Sequence, residues 1–141
     1  AITVDLVSAR GSFCGGAIAA GPSTMLKALH AHTELLPDLE PEGASITAAR
    51  KRATESLRIP LPSAPPSLGR NTEAALRSGA YWGSVGLVER LVAEIARDQG
   101  VAAPPLVTGG AGEFIAREMR PPAEYAPTLT LEGLAILAER G

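Results

Sequence analysis

The sequence predicts an α/β fold, on three observations. Ile2, Thr3, Val4, Asp5, Leu6 and Val7 mix β-branched and polar types with the alternation of a strand. From Asn71 onward, apolar side chains recur three and four apart, the period of a helix. Leu106-Val107-Thr108, Gly109-Gly110-Ala111-Gly112 and Glu113-Phe114-Ile115-Ala116 then read as strand, turn and helix. Strands interleaved with helices define the class. Neither half of the chain is self-sufficient, so residues 1–141 are read as one domain.

Composition bounds the function. A chain of 141 residues is long enough to bury a core, and 45% apolar with 20% charged residues is a globular balance. A net charge of -2 gives no electrostatic reason to expect nucleic acid or an anionic membrane, and 4% aromatics leave little for base stacking. Cys14 is the only cysteine, which excludes an internal disulfide and suits a reducing cytoplasm. Its neighbours Phe13, Gly15, Gly16 and Ala17 suggest a small buried residue there. The start of the chain reads as a strand rather than a signal peptide, and the apolar run at 13–20 is too short to span a bilayer. The absence of an initial methionine is what a processed chain or a cut fragment would show.

Taken in order, residues 2–7 and 13–20 form a hairpin about the turn residues Ala9-Arg10-Gly11-Ser12. Ser23 is placed to cap a helix over 24–33 with Met25, Leu26 and Leu29 inward. Prolines at 37, 41, 60, 62, 65 and 66 break the next stretch into a surface excursion, with one short amphipathic helix over 48–57. Asn71 or Thr72 caps the long helix and Gly100 ends it. Tyr81, Val85, Val88, Val92 and Ile95 make its apolar stripe. Gly79, Gly83 and Gly86 share a neighbouring face and suggest the close approach of another backbone. After Pro121-Pro122, Leu129 is expected in a short extended segment, with Thr130 capping a last helix over 131–140.

Few residues carry chemistry on their own. The glycine turn at 108–112 opens a helix, a geometry that lets backbone N–H groups approach a phosphate, and equally a plain tight connection. His30 and His32 lie two apart on a helix, so they diverge and read as surface or packing residues. Asp5 shares the strand face of Thr3, an exposed one. A binding module and a piece of an enzyme both remain open at this point.

Three segments together resemble the type III pantothenate kinases, of the acetate and sugar kinase/Hsc70/actin superfamily. The first is the strand at 2–7 followed by Gly15-Gly16-Ala17-Ile18-Ala19-Ala20-Gly21, where Ala20 replaces the family's usual proline. The second, the most specific, is Gly69-Arg70-Asn71-Thr72-Glu73-Ala74-Ala75-Leu76-Arg77-Ser78-Gly79 with Tyr81-Trp82-Gly83 and Val85-Gly86-Leu87-Val88-Glu89. The third pairs Val107-Thr108-Gly109-Gly110 with Pro127-Thr128-Leu129-Thr130-Leu131-Glu132-Gly133-Leu134. Agreement is poorest over residues 38–67.

The resemblance implies a ribonuclease-H-like (actin-like ATPase) lobe, a mixed sheet flanked by helices. It implies phosphorylation of pantothenate by ATP, the first step towards coenzyme A, with Mg2+ accompanying ATP and a monovalent cation, K+ or NH4+, in the full-length protein. It implies a homodimer with Gly79, Gly83 and Gly86 at the interface. It also gives Thr72, with Asn71, a pantothenate contact, and Gly109 and Gly110 a place near ATP. The family's Asp-x-Gly-Asn-Thr, Gly-x-Asp-Arg and Asp-x-Gly-Thr motifs are expected upstream of Ala1. No catalytic residue and no metal ligand is therefore assigned in this chain. A non-catalytic homologue serving as a regulatory or interaction module is the second reading, and a domain acting on another acid or sugar the third.

Overall fold

The structure, a computed structural model, describes residues 1–39 and 63–140; the helix expected over 48–57 lies outside them. Strands β1 (Ile2–Val7) and β2 (Phe13–Ala19) form an antiparallel hairpin in which Ile2 pairs with Ala19 and Leu6 with Gly15. Ser8 and Ser12 close its turn, and Gly11 supplies the positive φ of 78°. Helix α1 (Pro22–Ala31) follows directly. Helix α2 (Thr72–Gln99) is continuous over 28 residues, about 42 Å at 1.5 Å per residue. Beyond it come β3 (Leu106–Val107), α3 (Gly112–Glu118), β4 (Glu124–Tyr125) and α4 (Leu129–Arg140).

The α/β class is as expected. Among the described residues there are two separate two-stranded ladders, β1-β2 antiparallel and β3-β4 parallel. The strand at Glu124–Tyr125 has no sequence signal of its own, since two residues are too few to show a period.

Helix α2 organises the core. Its stripe buries Tyr81, Val85 and Val88 against Phe114, Ile115 and Met119 of the α3 region, with Ile2 and Val4 of β1 packed at the side. Tyr81 stacks on Phe114 at a centroid distance of 4.5 Å and meets Trp82 edge-on at 5.0 Å. The Tyr81 hydroxyl stays satisfied within this apolar setting. It accepts from Arg117 Nη2 (2.9 Å) and donates to Glu118 Oε1 (3.2 Å), and Arg117 and Glu118 pair at 3.0 Å. Burial raises the Tyr81 phenol above its ordinary pKa, partly opposed by Arg117.

Several local expectations are corrected. Ser23 makes no cap: α1 starts two residues earlier than expected, at Pro22 with Gly21 as N-cap, because the ring of Pro22 fits the first helical position without an N–H to satisfy. Of its three apolar residues Leu26 is buried, whereas Leu29 is 41% exposed. Leu129 is helical rather than extended. Thr128 takes the place expected of Thr130, with Oγ1 donating to Glu132 and its carbonyl accepting Glu132 N (2.9 Å). Cys14 is exposed, because the strand period turns Gly15, Ala17 and Ala19 towards the protein and Cys14 with Ile18 away. The hairpin also explains Gly16, since a Cβ there would run into Asp5 Oδ1 and the Val4 carbonyl.

The glycines of α2 meet no other backbone among the described residues. Gly79, Gly83 and Gly86 are exposed, and among the described residues nothing lies within 4 Å of a Cβ added at any of them. The close approach occurs instead at Gly69, where an added Cβ would strike the backbone of Ala74 and Ala75. Ser78 Oγ donates to the Ser67 carbonyl (2.7 Å) and Trp82 Nε1 to the Pro65 carbonyl (3.0 Å), tying the incoming strand of chain along α2.

Two outcomes follow. Gly69→Ala should destabilise the protein by about 1–3 kcal/mol in denaturant unfolding, because the rigid helical turn cannot move aside; an unchanged midpoint would contradict the contact. With its folded-state pKa raised, Tyr81 contributes stability that is present below its ordinary value of 10.0 and lost as pH rises through the folded value. Melting temperatures measured between pH 8 and pH 11 should therefore fall at the alkaline end, and Tyr81→Phe should flatten that fall while lowering neutral stability by about 1 kcal/mol.

Candidate functional site

The first turn of α2 forms one wall of an open groove. Asn71 is the N-cap, with extended backbone, and its Oδ1 accepts from Ala74 N at 2.8 Å. Glu73 sits favourably in the first turn and pairs with Arg77 at 3.0 Å. With the cap made by Asn71, the adjoining Thr72 hydroxyl is not consumed by capping. The carbonyl of Asn71 is committed to the helix, so only its amide NH2 remains to meet a ligand.

The opposite wall is α1 and its C-terminal extension. The groove, about 1110 Å³, runs between Met25, Ala28, Leu29, His32 and Leu36 on one side and Arg70, Asn71, Thr72, Ala75, Leu76 and Gly79 on the other. The extension is held by His30, whose Nδ1 donates to the Leu36 carbonyl at 2.8 Å. His30 and His32 thus do the surface and packing work expected of them, His30 as a brace and His32 as part of the wall.

The structure brings Asn71, Thr72 and Gly79 together in this groove; Gly83 and Gly86 continue the line of Gly79 along α2, outside it. Gly109 and Gly110 do not line it. They form the β3–α3 turn, where Gly109 has φ 91° and its carbonyl accepts from Gly112 N (3.0 Å) and Tyr125 Oη (3.1 Å). Gly112 is the tight member, since a Cβ there would meet Tyr125 and Val107 side chains at 2.9 and 3.1 Å. Burial, with the Glu113 charge adding to it, raises the Tyr125 phenol. Among the described residues nothing lies within 4 Å of a Cβ built on Gly110, so this turn is open on that side.

Among the described residues no three His, Cys, Asp or Glu side chains are grouped as a metal ion would need, and Asp5 lies exposed on the hairpin. Sequence reasoning singled out neither Arg70 nor the α1 wall. Apolar periodicity marks the buried side of a helix, and says nothing of which partly exposed residues face one another across a groove.

A family model described as type III pantothenate kinase matches residues 1–94. A protein of Gluconobacter oxydans called type III pantothenate kinase is 36% identical over 140 residues, covering 99% of this chain and 44% of that protein. Proteins with the same name from Pelobacter propionicus and Acidiphilium cryptum are 35% and 36% identical over 140 residues, with 99% of this chain covered and 47% and 45% of theirs. The chain thus spans a little under half the length of these relatives. The match over its first two-thirds and the identity along almost all of it place the chain in the type III pantothenate kinase family.

Proposed function

We propose that this chain is the C-terminal lobe of a longer pantothenate kinase, which transfers a phosphoryl group from ATP to pantothenate and gives 4'-phosphopantothenate. The observation that carries this reading is the groove at the α2 N-terminus, which holds Thr72 and Asn71 over an apolar floor in a chain of this family. Pantothenate has a branched hydrocarbon portion, hydroxyls, an amide and a carboxylate, and the groove offers surfaces for both its apolar and polar parts. In this reading the Thr72 hydroxyl and the Asn71 amide hold pantothenate.

The ATP role of Gly109 and Gly110 comes from the family resemblance. The positive φ at Gly109 and the open approach over Gly110 support it. The missing wall, and the acids that bind ATP with Mg2+ and K+ or NH4+, belong to the other lobe, and positioning and charge neutralisation of this kind dominate phosphoryl transfer. The same missing lobe accounts for apolar surface left bare here: Val7, Phe13 and Ile18 on the hairpin, and Leu131, Leu134, Ile136 and Leu137 on α4, are each at least half exposed. A ribonuclease-H-like architecture, with β1-β2 as part of a larger mixed sheet, is the fold this reading requires.

The unobstructed Gly79, Gly83 and Gly86 line suits the α2 helix of a second copy, giving a homodimer in which the dimer face adjoins the pantothenate groove at Gly79. A cytoplasmic enzyme working without membrane or nucleic acid is the matching setting. No helix among the described residues is long and apolar enough to cross a membrane.

The test is pantothenate-dependent ATP turnover by the full-length protein, with and without potassium, beside this chain alone. Turnover by the full-length protein and negligible turnover by the chain are expected. Silence from a folded full-length dimer would favour the non-catalytic homologue. Thr72→Ala should raise the pantothenate KM about tenfold, the equivalent of one good hydrogen bond, and leave the ATP KM nearly unchanged. Equal effects on both would remove Thr72 from the pantothenate site.

A further inference from the structure

Among the described residues the groove contains one fixed positive charge and no acid. Its lining residues are apolar or small apart from Arg70, Asn71, Thr72 and His32. Among the described residues Arg70 makes no hydrogen bond and no ion pair, and the nearest acid in sequence, Glu73, is taken by Arg77. The backbone around Arg70 is nevertheless held on both sides. Gly69 lies against the first turn of α2, Ser78 grips the Ser67 carbonyl, and Asn71 is fixed as the cap. A cation one residue before the N-cap also sits at the positive end of the helix dipole, a position that disfavours it unless an anion is shared.

We propose that Arg70 is a specificity-determining residue that receives the carboxylate of the substrate in this groove. The proposal rests on the reading that the groove binds pantothenate. The apolar lining at Leu29, Ala75 and Leu76 takes the hydrocarbon part, and the guanidinium fork donates two parallel N–H···O bonds to the carboxylate. Charge complementarity selects this occupant: a groove with a lone cation and no acid favours a small molecule with an apolar body and one anionic end. A cationic or zwitterionic ligand would leave Arg70 unmatched.

The experiment compares pantothenate with pantothenol, in which a primary alcohol replaces the carboxylate, as substrates of the full-length protein. For Arg70→Ala, kcat/KM for pantothenate should fall about 10- to 100-fold, the range of a charge-assisted contact, while kcat/KM for pantothenol changes less than about twofold. Arg70→Lys should recover part of the loss, because it restores the charge without the fork, and the ATP KM should stay put. Equal losses on the two substrates, or none, would overturn the proposal. If Thr72→Ala raises the pantothenate KM while Arg70→Ala does not separate the two substrates, this inference alone fails. If the wild-type protein phosphorylates neither compound, the functional reading fails with it.

Discussion

The first turn of α2 is the constraint on which the described structure turns. Four backbone N–H groups at a helix start need partners, and Asn71 Oδ1 serves that of Ala74. A side chain committed this way fixes where the helix begins, and so where Thr72 and Arg70 stand. Gly69 adds the second condition, because only a residue without Cβ lets the incoming chain lie against Ala74 and Ala75. From that start the helix runs unbroken to Gly100, whose left-handed backbone (φ 64°) ends it.

The core and the groove lie on different sides of this one helix. Tyr81, Val85 and Val88 face the α3 region and β1, where aromatic stacking and the Arg117–Glu118 pair hold Tyr81 in place. Ala75, Leu76 and Gly79 face α1 across open space. Rigidity is thus supplied by the buried stripe, and the turn that lines the groove inherits it without being buried. The ion pairs farther along, joining Arg90 and Arg97 to Glu94, are exposed and contribute little beyond local helix support.

Long-period features were legible in the sequence. The hairpin, the cap and stop of α2, its apolar stripe and the strand–glycine turn–helix order all appear where local patterns place them. What the sequence could not show was pairing without a period. The two-residue strand β4 and the hold of Trp82 and Ser78 on residues 65 and 67 depend on tertiary neighbours. The glycine line of α2 was read as a place where another backbone approaches, and among the described residues no segment fills it. For the site, resemblance supplied Asn71 and Thr72. The groove that gives them a common space, and Arg70 beside them, required the α1 wall that only folding brings near.

The central claim is that pantothenate lies in the groove between α1 and the start of α2. A crystal structure of the full-length protein with pantothenate bound tests it most directly. The account predicts the ligand within hydrogen-bond reach of Thr72 Oγ1, with its carboxylate facing Arg70 and its branched carbons against Leu29 and Leu76. Pantothenate bound elsewhere, with this groove empty or filled by protein, would contradict it.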